Sequence, residues 1–483
     1  MSLKKTFDVI EGSASIAFMR NDMDMLALAT NTGSLYVTRA EESGFFVFAS
    51  EQFFLSEFLK KNTFNLKTQD VEVEQIKAGS GCFVRAYDAN VRIFEIEGPD
   101  IPNLYARKPI TIKDSSERLD KIERCTSCVT PASYPFITFD DEGVCDKCRE
   151  FVSQKPLGMD RLLEELAKYK STDGSPDCIV AFSGGRDSSY GLHVIKNKLG
   201  MNPIAFTYDW GMVTDLGRRN ISRMSAKLGV ENIIIAADIA LKRENIKKNI
   251  QAWMKSPHLG MVNLFTAGDK HFFQHVETVK KQTGIDLNLW GLNPLETTHF
   301  KTGFLGIPPY FDERTVYSTG LQKQIRYQST RFREFLRNPS YFNSSIFDSL
   351  SGEFFRSIKK KRDYFHIYDY WKWDEDIIEK TLLDEYDWEM APDTVTSWRI
   401  GDGTAAFYNY IFYTVAGFTE HDTFRSNQIR EGQISRDEAL QSVREENKPR
   451  YQNIRWYLDT IGLDFSETVE VINEMPKIWR SNQ

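Results

Sequence analysis

The stretch that most constrains this chain is CIVAFSGGRDSSYGLHVIKNKLG, residues 178–200. Cys178 to Phe182 is a short, mostly apolar run bounded by a turn signal, which predicts a buried parallel strand. Ser183, Gly184, Gly185, Arg186, Asp187 and Ser188 follow, and then Tyr190, Leu192, Val194 and Ile195 recur at helical spacing. Strand, glycine loop and helix start together make an anion cradle. Glycines let backbone N–H groups approach a ligand, and the helix dipole favours negative charge at its N-terminus. Ser183 and Ser188 add hydroxyl donors, and Asp187 is placed to hold a magnesium ion. The G-x-x-x-x-G-K-[ST] phosphate loop is absent, so the cradle is of another kind.

The six residues Ser183-Gly184-Gly185-Arg186-Asp187-Ser188 resemble the PP-loop of ATP pyrophosphatases. Those enzymes cleave ATP between the α and β phosphates and adenylate an oxygen of their substrate. The resemblance implies ATP and Mg2+ as ligands: Ser183, Gly184, Gly185 and Ser188 for the phosphates, Arg186 for charge neutralisation and Asp187 for the metal. Of these, Asp187, Arg186 and Ser188 are the expected catalytic set.

The surrounding pattern is that of an α/β domain. Residues 156–171 suggest an amphipathic helix, 202–211 a second strand, 212–229 a helix, 231–238 a third strand and 287–291 a later one. Alternating strands and helices predict βαβ units and a parallel sheet, with ligands beyond the carboxyl ends of the strands. That rule gathers Tyr208, Asp209, Asp238 and the stretch Gly291 to Glu296 around the same crevice. In the resembled enzymes such a strand end lies by the adenosine, and such a later loop near the phosphates, which makes Tyr208, Asp209, Gly291 and Asn293 candidates for ATP. A turn or capping role stays open for each.

Four of the six cysteines form two CxxC pairs, Cys125/Cys128 and Cys145/Cys148, sixteen residues apart. Each pair is a tight knuckle aiming two thiolates at one point, and four thiolates complete a closed tetrahedral site, so a structural Zn2+ is expected. This usage suits a reducing, cytoplasmic compartment.

Residues 1–112 alternate short strand-like runs with turns: 15–19, 25–28, 34–37, 45–48, 82–87 and 91–96, with a short helix at 50–61 and Asn31-Thr32-Gly33 as a hairpin signal. The segments EGSASIAFM, LALATNTGSLYV and FFVFASEQFFL resemble the second half of a class II glutamine amidotransferase (Ntn-type) domain. The resemblance implies a partial domain: residue 2 is Ser where that family carries its cysteine nucleophile, and Cys82 is expected to be a small core residue. Such a module should not hydrolyse glutamine alone.

At 483 residues the chain should hold about three domains at roughly 150 residues each. The expected division is residues 1–112, a linker and zinc knuckle at 113–150, an ATP pyrophosphatase-like domain at 151–330 and a mostly helical substrate-binding region at 331–483. A net charge of -7 provides no global basic footprint for nucleic acid. The first residues lack the apolar run of a signal peptide, and Thr404 to Phe418 is too short to span a membrane. Residues 359–373 (KKKRDYFHIYDYWKW) interleave basic and aromatic residues, a pattern known from single-stranded nucleic acid binders. Asp374, Glu375 and Asp376 follow at once, and a packed amphipathic segment is the expected state. Residues 401–418 should be a buried helix, and 422–447 should end in a helix with Ser435 as N-cap and Glu438 completing a capping box.

Taken together, CTSCVTPASYPFITFDDEGVCDKC, CIVAFSGGRDSSYGLHVIKNKLGMNP and FRSNQIREGQISRDEAL resemble the N-acetyl sugar amidotransferases of bacterial surface-polysaccharide (lipopolysaccharide) and sialic-acid-like sugar pathways. The resemblance covers roughly residues 121–483. It implies adenylation of an acetamido oxygen on a nucleotide sugar or sugar acid, then attack by ammonia to give an acetamidino group, with AMP and pyrophosphate released. Arg425 and Arg430 are candidates for binding the anionic substrate. Ammonia would come from a glutaminase partner, either an imidazole glycerol phosphate synthase-like pair or a separately encoded half. Two departures stand out: Arg186 replaces the family's usual lysine, and members generally begin near the first CxxC. Two rivals remain, a tRNA-thiolating PP-loop enzyme and a non-catalytic remnant of a glutamine-dependent synthetase.

Overall fold

A computed structural model of the chain describes residues 3–480 except 11, 21–22, 41–44, 62–70, 86–88, 97–115, 154, 267, 297, 309–320 and 360. The expected boundary at 112, the linker start at 113–115 and the end of the run 82–87 lie outside the described residues. The chain divides into two compact units: Met1–Thr111 with Asp215–Gly229 and Tyr386–Glu389, and Ile112–Thr214 with Val230–Glu385 and Met390–Gln483.

The first unit is β-rich, as its alternating runs demand. Strands β1 (Ser15–Arg20), β2 (Met23–Thr30), β3 (Tyr36–Ala40), β4 (Phe45–Ala49), β5 (Glu74–Gln75), β6 (Ser80–Arg85) and β7 (Val91–Glu95) form two antiparallel sheets, ordered β1-β2-β6-β7 and β4-β3-β5. Leu28 on β2, Val37 on β3 and Cys82 and Val84 on β6 bury their alternate side chains in one core with Leu35 and Ile76. Burial pushes the Cys82 thiol up to about 11, which suits an inert core residue.

Asn31-Thr32-Gly33 is not a hairpin. β2 and β3 belong to different sheets, and this segment is the corner between them. Thr30 Oγ1 accepts the N–H groups of Thr32 at 3.2 Å and Gly33 at 3.1 Å, while the Asn31 side chain bonds Ala14 N–H and Gly12 C=O. Side-chain bonds to the backbone replace the ladder that a two-residue turn would have continued. On the helix Asp215–Leu228 of the same unit, Arg219 forks onto Glu389 at 2.8–3.0 Å, and Arg223 reaches Glu389 at 2.6 Å and the Tyr36 hydroxyl at 3.2 Å.

The second unit is built on a five-stranded, wholly parallel sheet. Its strands are β8 (Cys178–Ala181), β9 (Pro203–Asp209), β10 (Asn232–Ala236), β11 (Asn288–Trp290) and β12 (Tyr364–His366), ordered β10-β9-β8-β11-β12. β8 and β9 are buried along their whole length, as central parallel strands must be. The strand order reverses beside β8, and the carboxyl ends at such a switch point open the ligand crevice of α/β sheets. β12 departs from the expectation for 359–373: three residues of that aromatic segment pair in register with β11. An edge strand of three residues leaves too little period-2 pattern to read in sequence.

Helices pack around this sheet and continue to the C-terminus. Ala405–Ala416 is buried as expected, with Phe407, Ile411 and Phe412 packed among Trp253, Phe265, Phe300 and Tyr457. Ser435 caps Arg436–Glu446 with Glu438 completing the box, again as expected. A second capping box, Thr419 with Asp422, opens the helix Glu420–Arg430. Among the described residues, no helix is long and apolar enough to cross a membrane.

Candidate functional site: glycine loop and cysteine cluster

β8 delivers the chain to Ser183, and the helix Arg186–His193 starts three residues later. Gly184 between them has φ +72°, a left-handed conformation that glycine adopts at no steric cost. Ser183 and Ser188 close the loop: their hydroxyls lie 3.0 Å apart, and Ser188 Oγ accepts the Ser183 N–H at 3.2 Å. β9 ends alongside, because Thr207 Oγ1 donates to Phe182 C=O at 2.8 Å, which puts Tyr208 and Asp209 next to the loop's strand. The Tyr208 hydroxyl is buried with no hydrogen-bond partner among the described residues, and Asp209 Oδ1 accepts the Gly211 N–H at 2.9 Å. Asp238 caps the helix Ile239–Lys255, accepting the Leu241 N–H.

The loop after β11 meets the helix Arg186–His193 backbone to backbone. A Cβ on Gly291 would lie 2.8 Å from Asp187 O and 2.9 Å from Gly191 Cα. Gly191 and Gly291 thus permit the close approach of helix and strand end, the packing role glycines play in nucleotide folds. Asn293 forms a local turn through Oδ1 to the Leu295 N–H at 2.9 Å, and its buried Nδ2 has no partner among the described residues.

Two tryptophans hold the acidic groups here. Trp373 Nε1 donates to Asp187 Oδ1 at 2.6 Å, and Trp398 Nε1 donates to Glu296 Oε1. Phe424 joins them, edge-on to Trp373 at 5.5 Å and stacked on Trp398 at 5.4 Å. Burial pushes the Glu296 carboxyl up and the Asp187 charge adds to this, while Arg399 pulls against both.

Arg186 is drawn to carboxylates, with its Nε 3.5 Å from Asp187 Oδ1. It is 1% exposed, and its Nη1 donates to Glu375 Oε1 at 2.6 Å and to Ser397 Oγ at 3.0 Å. The sequence position suggests a phosphate partner; the structure supplies a carboxylate. Arg425 meets the same carboxylate through Nη1 to Glu375 Oε2, and also pairs with Glu446. Burial raises the Glu375 carboxyl, but the two guanidiniums outweigh it and hold it below its usual range.

The four cysteines converge. Their sulfurs all lie within 4.8 Å of one another, with Cys125–Cys148 at 4.0 Å and Cys128–Cys145 at 3.8 Å. Tetrahedral bonds of about 2.3 Å place thiolates about 3.8 Å apart, so the cluster fits one ion and is too tight for a polynuclear cluster. Arg430 lies over it, with Nη2 donating to Cys128 Sγ at 3.2 Å and Nε to Cys148 Sγ at 3.3 Å. It is therefore committed to the cysteines, not presented to a substrate, while Arg425 sits between Glu375 and Glu446.

Sequence reading missed Trp373, Glu375, Ser397, Trp398 and Phe424. Each acts on a residue far away in the chain, such as Glu375 on Arg186 at a separation of 189, which no local spacing encodes. The one available signal was FRSNQIREGQISRDEAL itself: its phenylalanine and both of its first arginines reach the site, toward protein groups.

No family model matches the chain. An uncharacterized protein of Methanocaldococcus jannaschii is 32% identical over 90 residues, 18% of this chain and 32% of that protein. The chain thus spans about a third of the length of the curated relative it matches. Among solved structures it is similar to an NH3-dependent NAD synthetase from Campylobacter jejuni (17% identity, TM-score 0.21, 42% of this chain and 93% of that one). It is also similar to a U34-tRNA thiolase with a [4Fe-4S] cluster from Methanococcus maripaludis (12% identity, TM-score 0.25, 70% and 88%).

Proposed function

We propose that this protein is an ATP-dependent, AMP- and pyrophosphate-forming amidotransferase that converts the acetamido group of a sugar into an acetamidino group. The observation that carries the reading is the Ser183–Ser188 loop: it stands at the carboxyl end of the central parallel strand, over a helix start, with the Asp187 carboxylate fixed beside it.

The chemistry needs an activating step, because an amide oxygen is a poor leaving group. The acetamido oxygen attacks the α phosphorus of ATP, the bond to the bridging oxygen breaks, and pyrophosphate leaves. Ammonia then attacks the imidate carbon through its lone pair, the carbon–oxygen bond breaks, AMP carries the oxygen away and the amidine remains. In this reading the loop N–H groups, the helix start and the hydroxyls of Ser183 and Ser188 hold the phosphates. Asp187 is the residue to hold Mg2+, which supplies charge neutralisation at the phosphates. Arg186 acts from below, fixing the loop through Glu375 and Ser397. Tyr208, Asp209 and Asn293 line the adenosine and phosphate side. The four cysteines hold zinc as a structural ion. The acceptor is a nucleotide sugar or sugar acid of bacterial surface-glycan synthesis, and ammonia arrives from a separate glutaminase, in the cytoplasm. Against a tRNA-thiolating route that uses a cysteine nucleophile beyond the metal ligands, four of the six cysteines cluster, Cys82 is core, and Cys178 lies buried within β8 with its thiol pushed well up.

The test is pyrophosphate and AMP release from ATP with ammonium chloride and a panel of UDP- and CMP-linked acetamido sugars. Sugar-stimulated release that is lost in Asp187→Ala is the expected result. Stimulation by tRNA and by no sugar would replace the reading with the thiolase, and silence with every acceptor would leave the non-catalytic remnant.

A further inference from the structure

The helix Glu420–Arg430 touches the cysteine cluster with one face and the anchors of the Ser183–Ser188 loop with the other. On the cluster face, Ser426 Oγ accepts the Val129 N–H at 3.3 Å and meets Thr130 Oγ1 at 3.1 Å, and Arg430 donates to three of the four sulfurs. On the loop face, Arg425 and Gln428 both donate to Glu375 Oε2, the latter at 3.0 Å, and Glu375 Oε1 receives Arg186. One residue earlier, Phe424 packs on Trp373, which holds Asp187. Arg186 and Asp187 are the two consecutive residues at the heart of the loop, and one helix fixes both.

We propose that Arg430, Arg425 and Glu375 are positioning residues that couple the ion at the four cysteines to the phosphate loop, so that ion occupancy sets nucleotide affinity. This rests on nucleotide binding at the loop, as read above. A divalent ion with four thiolates carries a net charge of about -2 in a buried site. Arg430 is the guanidinium bonded to it, and a buried guanidinium without its anionic partner is costly. Losing the ion leaves nothing to hold the four sulfurs at one point, so the sulfurs that Arg430 meets separate, and a close-packed helix responds by shifting as a body, not by local give. Arg425 then leaves Glu375, and Arg186 loses the orientation of its partner. Displacements of about 1 Å at a positioning group are enough to cost affinity and rate.

The test is a double-mutant cycle on the full chain, read by calorimetric binding of Mg-ATP, with ion content by mass spectrometry and melting temperature alongside. Arg430→Met keeps the side-chain volume and removes the N–H···S bonds, and Glu375→Gln removes the charge between the two arginines. Each single variant is expected to weaken binding about tenfold, and the double variant no further than about tenfold, because linked residues are non-additive. Chelating the ion should weaken the wild type likewise and Glu375→Gln no further, a comparison that serves if Arg430→Met does not fold. Wild-type affinity in the variants, or a double variant about a hundredfold weaker, overturns the coupling and leaves the nucleotide-binding reading standing. No binding by ion-loaded wild type overturns both.

Discussion

Trp373 donates its indole N–H to Asp187 across 186 residues of sequence, at 2.6 Å. The bond fixes the rotamer of the acidic residue within the Ser183–Ser188 loop, and Gln433 in turn holds the Trp373 carbonyl at 3.1 Å. Trp398 repeats the arrangement on Glu296, with Phe424 between the two rings. A carboxylate held by a buried indole loses its mobility, which is what preorganisation at a charged site requires.

Trp373→Phe preserves the contact with Phe424 and deletes the N–H. ATP-dependent turnover should fall by about tenfold, with a stability loss of about 2 kcal/mol for one hydrogen bond to a carboxylate. Steady-state rates and urea unfolding check it. Unchanged turnover with lowered stability would make the indole a packing residue only.

Gly291→Ala places a methyl group 2.8 Å from the Asp187 carbonyl oxygen and 2.9 Å from Gly191 Cα, both of them backbone. Neither neighbour can swing aside, so the helix must back away from the strand end at about 1–3 kcal/mol. A lowered melting temperature together with weaker ATP binding is expected. A variant with wild-type stability would mean that the two backbones are not locked together.

Cys128→Ser should remove the bound ion, since a hydroxyl is a poor replacement for one of four thiolates, and destabilise the protein by several kcal/mol. Elemental analysis should find about one zinc per wild-type chain and much less in the variant. A brown protein with iron and acid-labile sulfide would overturn the single-ion site that the 3.8–4.0 Å sulfur spacing supports.

Glu51 links the β-rich unit to pH. It is 5% exposed and its Oε2 has no hydrogen-bond partner among the described residues. Burial pushes its carboxyl from the usual 4.5 to about 7, against the pull of Arg223. A carboxyl raised on folding contributes stability that is complete below its unfolded value and is lost as pH rises through its folded value. Stability should therefore decline between about pH 4.5 and 7, by on the order of 3 kcal/mol. Glu51→Gln should flatten that decline in denaturant titrations run across the same range, and an unaltered slope would assign it to another group.

The glycine loop between β8 and its helix, the knuckles of the four cysteines, the buried helix at Ala405–Ala416 and the Ser435 cap were legible in sequence because each is local. Their chemistry follows from residues within a few positions of one another, where glycine freedom, CxxC spacing and helical period act directly. Which way Arg186, Arg425 and Arg430 point was not legible. An arginine is drawn to whichever anion the fold brings nearest, and for these three the nearest are Glu375, Glu446 and the cysteine sulfurs. The corner at Asn31-Thr32-Gly33 and the strand Tyr364–His366 were decided in the same way, by which sheet lay alongside. Local sequence determined the loop and the cysteine knuckle, and tertiary packing decided what holds them, because a buried charge takes its partner from space and not from the chain.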